Sequence, residues 1–367
     1  MHISTVRLWL NEIENRILSH CFLLAPAFSF SCGLKACGSL RDRQKGREIH
    51  AEIVKTGFEK EVLVGNTLVN MYVNCGLLST AHHLFNTLVV RDVVSLNSLM
   101  VGYTERGRSE EAIFCFEEMV PKGGCTNPVT IVCALKACCG STGTIAKGRE
   151  VHAQAIKAGI ESELIIGNTL IDMYVKSCSL REAEQVFDKL VARDVVSWTA
   201  LIAGYAQLGE NENVFHTYDQ MHESGIKPNL ITFVHLLNAC NHVGMVFEGE
   251  TYFESMSSDY GLTPTMDHYT CMIDLLGRAG HLGKAVSMIR RMPMQPDLVV
   301  LHTVLLACRK WGNVEFGRHV FEHALRLDKK AEATYMYMFN IYSDASMHDD
   351  ADIIEAMRVE NIRNGFH

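Results

Sequence analysis

Proline is scarce in this chain of 367 residues, with 7 in all, and no low-complexity tract occurs. Long disordered linkers are thereby excluded. No run of 18 apolar residues exists, which excludes a helix of the kind that crosses a membrane. The 13 cysteines include no Cys-x-x-Cys pair, so the ligand spacing of a structural zinc site is missing. Surplus positive charge is missing too: 34 Lys and Arg stand against 42 Asp and Glu, a formal net charge of −8. Phosphate contacts ordinarily draw on surplus base. The balance therefore argues against a nucleic-acid partner, although it does not fix the charge of any one face. No alternating strand pattern of useful length is found. What remains is a chain with 48% hydrophobic residues, ample for a core.

The chain also resembles itself. GREIHAEIVKTGFEKEVLVGNTLVNMYVNC at 46–75 and GREVHAQAIKAGIESELIIGNTLIDMYVKS at 148–177 are near copies set 102 residues apart. VVSLNSLMVGYTERGRSEEAIFCFEEM (93–119) and VVSWTALIAGYAQLGENENVFHTYDQM (195–221) repeat at the same distance. Such self-similarity belongs to a stack of like units. Cutting at the matched boundaries gives units 27–61, 62–92, 93–127, 128–163, 164–194, 195–229, 230–265 and 266–297, of 35, 31, 35, 36, 31, 35, 36 and 32 residues. Two related units follow at 298–331 and 332–365.

Each unit reads as two antiparallel helices. In 195–209 the apolar residues Val196, Leu201, Ile202 and Tyr205 fall near helical spacing, giving one buried stripe. Gly209 breaks the run, and Glu210 and Glu212 favour the start of a second helix through its dipole. One hairpin cannot bury its apolar face, but stacked neighbours can. The expected fold is all-α, a right-handed α-solenoid superhelix of helix-turn-helix repeats. Cys37, Cys138, Cys240 and Cys308 each stand eleventh in their unit, as small residues facing a neighbouring helix would, and are expected to be buried, reduced thiols. The segment 1–26 has an amphipathic look with Arg7 and Arg16, whereas Glu12 and Glu14 do not suit an organellar transit peptide. It reads either as a weak targeting sequence or as a truncated repeat.

The repeating words NTLIDMYVKS, DVVSWTALIAGYAQLG and HYTCMIDLLGRAGHLGKAVSMIRRMPMQPD (268–297) closely resemble plant pentatricopeptide repeat proteins. The rotation of 35-, 36- and 31-residue units resembles the PLS subclass, in which P-type, long and short repeats alternate. Units 298–331 and 332–365 resemble the E-type extension motifs that follow the last short repeat. The resemblance implies a sequence-specific single-stranded RNA-binding factor that specifies C-to-U editing sites in organellar transcripts. It also implies partners: a DYW-type deaminase and other editing factors, recruited in trans through the extension. The chain ends at Asn364-Gly365-Phe366-His367, where a DYW domain would begin, so a member lacking that domain is expected. The mitochondrion is the expected compartment, with the plastid as alternative.

Zinc deaminases combine His-x-Glu with Cys-x-x-Cys. His50-Ala51-Glu52 supplies half of that pattern, but the other copy has His152-Ala153-Gln154. His50 is therefore read as a repeat-packing or surface histidine. No catalytic residue, metal or cofactor is expected, and the chain is not expected to be an enzyme.

In the family the fifth and last residues of a unit contact the base edge, while second residues of neighbouring units sandwich the base. Carried onto this sequence, the base-selecting pairs are Asn66 with Asp92, Asn97 with Asn127, Asn168 with Asp194, Thr199 with Asn229, and Thr270 with Asp297. The sandwiching residues are Leu63, Val94, Ile165, Val196 and Ile231. By the family's pairing rules Asn–Asp favours U, Asn–Asn C or U, Thr–Asn A, and Thr–Asp G. The long units carry Val132/Glu163 and Val234/Thr265 and receive no letter, as does Ser31/Glu61 of the first unit. The expected target is U, C/U, any, U, A, any, G, with the N-terminus toward the 5′ end. A plain structural reading competes, since Asn near a helix start, as at Asn66 or Asn168, is a common N-cap. A rival function, a protein–protein scaffold on the same surface, draws on the acidic balance. Asp267 at the second place of 266–297 and Cys178 in place of a usual Gly depart from the pattern.

Overall fold

A computed structural model describes residues 26–89, 91, 93–119, 127–139 and 145–364, and apart from turns every element in them is helical. The fold is an all-α solenoid of helical hairpins. Two compact units divide it, Met1–Ala192 and Arg193–His367. The first holds α1 (Pro26–Leu40), α2 (Arg43–Thr56), α3 (Val62–Asn74), α4 (Leu78–Thr87), α5 (Val93–Thr104), α6 (Ser109–Met119), α7 (Pro128–Cys138), α8 (Ile145–Lys157), α9 (Leu164–Lys176) and α10 (Leu180–Lys189). The second holds α11 (Val195–Leu208), α12 (Asn211–Glu223), α13 (Leu230–Val243), α14 (Val246–Ser258), α15 (Met266–Arg278), α16 (Leu282–Arg291), α17 (Leu298–Lys310), α18 (Val314–Leu327), α19 (Glu332–Asp344) and α20 (His348–Asn364). Odd-numbered helices open the hairpins and even-numbered helices close them. Residues 1–25, and with them nearly all of the amphipathic segment, lie outside the described residues.

Within each unit, an opening helix packs on the opening helices before and after it and on its own closing helix. A helix covered on three sides must be apolar around most of its circumference. In α3, accordingly, Val64, Leu68, Val69, Met71, Tyr72 and Val73 are all buried. Closing helices cover one side only and are amphipathic. In α10, Leu180, Ala183, Val186 and Phe187 are buried at helical spacing, while Arg181, Gln185, Asp188 and Lys189 face water. In α11 the buried set includes Trp198, Leu201 and Ile202. Val196 does not belong to that stripe: it sits in the first turn, off the packed face, and is exposed.

The turn between the two helices uses left-handed backbone. Gly209 (φ 75°) and Gly244 (φ 80°) end α11 and α13 in this way. Cys178 takes the same place after α9 with φ 55°, at a cost of about 1 kcal/mol that glycine would not incur.

Side chains then tie hairpin to hairpin. His50 Nδ1 lies 2.9 Å from the Tyr72 hydroxyl, His82 Nδ1 2.8 Å from that of Tyr103, and His152 Nδ1 2.8 Å from that of Tyr174. Arg318 Nε donates to the Tyr342 hydroxyl at 2.9 Å in the same arrangement. Each tie joins a closing helix to the next opening helix.

Backbones approach closely where α15 meets α17. A Cβ on Gly277 would lie 2.8 Å from Ala307 Cβ, and Trp311 Nε1 donates to the Gly277 carbonyl at 2.7 Å. Helix propensity alone favours alanine by about 1 kcal/mol, whereas overpacking a rigid contact costs about 1–3 kcal/mol. Packing wins here because the opposing atom is a methyl on a helix and cannot swing away. Gly277→Ala is expected to lower the thermal midpoint and Ala307→Gly to restore part of the loss. A midpoint raised by Gly277→Ala would contradict this contact.

Candidate nucleic-acid interface

The second residue of an opening helix lies in its first turn, away from the neighbours that bury the rest. Leu63, Val94, Ile165, Val196 and Ile231 are accordingly between 51% and 70% exposed. Leaving such a side chain in water forgoes about 1.5–3 kcal/mol of burial, so a repeated exposed aliphatic at one register calls for an explanation beyond folding. Phe28, Val129 and Val299 occupy the same register and are exposed as well. Sequence reading had not singled them out, although counting two residues into each unit finds them. Asp267 takes this place in α15 and is exposed without an apolar surface to offer.

Among the described residues, the last residue of a unit is the N-cap of the next opening helix. Asn127 Oδ1 accepts from the Thr130 amide at 2.8 Å and Asn229 Oδ1 from the Thr232 amide at 2.9 Å. Asp194 Oδ1 accepts from the Val196 and Ser197 amides at 3.0 and 2.9 Å, and Asp297 Oδ1 from the Val300 amide at 3.0 Å. The competing cap reading of Asn66 and Asn168 thus moves elsewhere: α3 and α9 follow Glu61 and Glu163, and both asparagines sit a full turn inside the helix. Asp92 lies outside the described residues. The caps fix Asn127, Asp194, Asn229 and Asp297 while leaving each one polar atom unused by the cap itself, an amide nitrogen on Asn and a carboxylate oxygen on Asp.

The fifth residues differ among themselves. Asn66, Asn97 and Asn168 are half-buried, and among the described residues Asn97 Oδ1 has no hydrogen-bond partner. Thr199 is buried with its hydroxyl 2.8 Å from that of Thr232. The Thr270 hydroxyl donates to the Met266 carbonyl at 2.9 Å. Both threonines thus spend their hydroxyls inside the protein. Val132 and Val234 are half-buried and have no polar group to present. Third residues were missed by sequence reading: the Thr232 hydroxyl meets both the Asn229 cap (3.1 Å) and Thr199, linking the last residue of one unit to its own fifth. The capping-box spacing, Asx followed three residues later by Ser or Thr, was the available signal.

Charge is distributed unevenly. The closing helices hold the acid surplus: α6 has Glu110, Glu111, Glu117 and Glu118, α12 has Glu212, Asp219 and Glu223, and α14 has Glu248, Glu250 and Glu254, all three without Lys or Arg. Opening helices α3, α5, α11 and α13 carry no charged Asp, Glu, Lys or Arg at all. The net −8 is therefore no measure of the opening-helix face.

Comparison with known proteins agrees with the repeat fold. The PPR repeat model matches residues 94–123, 168–195, 231–260 and 267–295, and a PPR repeat family model matches 193–242. A mitochondrial pentatricopeptide repeat-containing protein of Arabidopsis thaliana is 37% identical over 322 residues, 87% of this chain and 49% of its own length. A chloroplastic one is 38% identical over 314 residues (85% and 42%), and the chloroplastic protein CRR2 of the same plant is 34% identical over 336 (90% and 51%). The chain is built of pentatricopeptide repeats. It spans about half the length of these curated relatives. Among solved structures, the pentatricopeptide repeat protein PPR10 in complex with an 18-nt psaJ RNA element superposes with a TM-score of 0.76 at 19% identity, over 98% of this chain and 53% of that one. PPR10 from maize gives 0.69 at 17% identity, over 99% and 55%. At such identity the likeness speaks for the fold.

Within the repeats, His50 has the packing role already described, and Glu52 pairs with exposed Lys55 at 3.1 Å. Burial pushes the thiols of Cys138, Cys240 and Cys308 up to about 12 and that of Cys37 to about 11. All four are buried and none forms a disulfide, as small residues between helices.

Because Asp297 caps α17, Asp297→Ala should cost about 1 kcal/mol of stability and Asp297→Asn should cost little. Equal thermal midpoints for the alanine variant and the parent would show that the cap carries no weight.

Proposed function

We propose that these pentatricopeptide repeats bind single-stranded RNA in a sequence-specific manner, one nucleotide per hairpin. On this reading the chain specifies C-to-U editing sites in organellar transcripts and brings in a DYW-type deaminase and other editing factors in trans through residues 298–365. The row of exposed second residues supports it most directly. Unstacked bases need faces to lie against, and contacts of this sort give about 1–3 kcal/mol per base with aromatic partners and less with aliphatic ones.

Cap chemistry supports the assigned letters. Uracil and guanine carry an N–H at the centre of the Watson–Crick edge, whereas cytosine and adenine carry an acceptor nitrogen there. Asp297 retains an acceptor beyond the cap, matching G, and Asp194 takes U from the family pattern. Asn127 and Asn229 retain donors, matching C and A. At the fifth place the threonines act through size, because their hydroxyls are already spent. A short buried Thr leaves room for a purine where Asn does not. Asp92 takes its letter, U, from the family pattern alone. The long units, with Val132 and Val234, act as spacers.

The scaffold alternative rests on acidity, and acidity belongs to the closing helices. It therefore lends no support to a protein partner on the opening-helix face. Mitochondrial and chloroplastic relatives support an organelle; the E-type resemblance favours the mitochondrion, with the plastid as alternative.

RNA carrying U, C/U, any, U, A, any, G is expected to bind more tightly than a scrambled oligonucleotide; equal affinity would favour the scaffold. Thr199→Asn, with Asn229 kept, should move preference at the fifth letter from adenine to a pyrimidine by about 1–3 kcal/mol, the scale of single-base discrimination. An unchanged preference would show that this hairpin does not read that letter.

A further inference from the structure

The apolar row does not stop with the last short unit. Val299, second residue of α17, is 59% exposed, in the register of Val196 and Ile231. Asp297 before it caps the helix as Asn229 caps α13. The fifth residue is His302, and its Nε2 lies 2.8 Å from the hydroxyl of Thr334, third residue of α19. That contact repeats the one between Thr199 and Thr232, fifth residue to the third of the following hairpin. Resting on the reading above, we infer that the hairpin of α17 and α18 holds one further nucleotide, immediately 3′ of the seven letters, with Val299 against the base face and His302 at its edge.

The histidine is built to a single orientation. Its ring packs on Tyr337 with centroids 5.0 Å apart and planes inclined by 51°, while Thr334 holds Nε2. Thr334 is fully buried. Unlike Thr232, whose hydroxyl donates to the Asn229 cap, it follows a cap residue, Ala331, that has no side-chain oxygen. Its proton is therefore directed to His302 Nε2, which leaves the ring proton on Nδ1 as a donor. Among the described residues no hydrogen bond is made at that nitrogen. Burial lowers the imidazole below its ordinary value, although the Asp297 carboxylate opposes this, so the ring is neutral near pH 7 and selects by hydrogen bonding rather than by charge. The succeeding hairpin offers Met336 as fifth residue and Ala333 as second. It lacks both an edge and a face, so the reading frame closes at His302.

The test measures affinity of the full chain for three RNAs: the seven letters, the seven letters with one nucleotide added at the 3′ end, and the same RNA with an abasic residue at the added place. The added nucleotide should tighten binding about fivefold, as a stacking contact of modest strength does, and the abasic residue should not. His302→Ala, at a partly exposed position, should remove the gain without altering affinity for the seven-letter RNA, whereas Val299→Ser, which also takes a face from the seventh base, should remove the gain and weaken the seven-letter RNA too. Three results would overturn the inference: no gain from the added nucleotide while the seven letters are still told from a scramble, a gain that survives the abasic residue, or a gain that survives both substitutions. Failure to tell the seven letters from a scramble would instead remove base reading as a whole, and this inference with it.

Discussion

Everything in this chain depends on opening helices packing against opening helices. Covered by neighbours on both sides and by its closing helix, an opening helix inside either unit is apolar around most of its girth, as the buried run through α3 shows. Only a narrow strip is left to solvent, and its composition is constrained in turn. The first turn cannot be buried by the same neighbours, so its second residue projects outward. That this residue is aliphatic at Leu63, Val94, Ile165, Val196 and Ile231 is a cost the fold does not require. The surface for bases proposed above would account for it.

The caps add economy of design. A helix start needs an acceptor for its free amides, and Asn or Asp supplies one with a single atom. The second atom is then held in place by the first without further ordering entropy. One residue can thus start a helix and present a donor or an acceptor at a fixed position. Sterically short threonines at 199 and 270 and asparagines at 66, 97 and 168 vary the space beside it. Identical scaffolds can in this way carry different letters.

The fold was legible in the sequence because periodic apolar residues and turn glycines at fixed intervals leave few alternatives to a stack of hairpins. Even Cys178, read as a departure from glycine, keeps the left-handed turn. Legibility failed where one residue serves two neighbours. Val196 falls within the helical spacing of Leu201 and Ile202, yet its first-turn position carries it off the packed face. The cap role was looked for at Asn66 and Asn168 and belongs to Asn127, Asp194, Asn229 and Asp297, because spacing alone does not say on which side of the first turn a helix begins. The pairing of Thr199 with Thr232, 33 residues apart, is a tertiary contact that no local pattern contains. Net charge says least about the opening-helix surface, since it sums over closing helices that do not share it.

The central claim is that single hairpins read single bases. Its most direct measure is an affinity profile in which each of the seven letters is replaced in turn by every other base. Affinity should fall at the first, second, fourth, fifth and seventh letters and stay level at the third and sixth, which face Val132 and Val234. A profile that is flat, or that falls equally at all seven, would contradict the account.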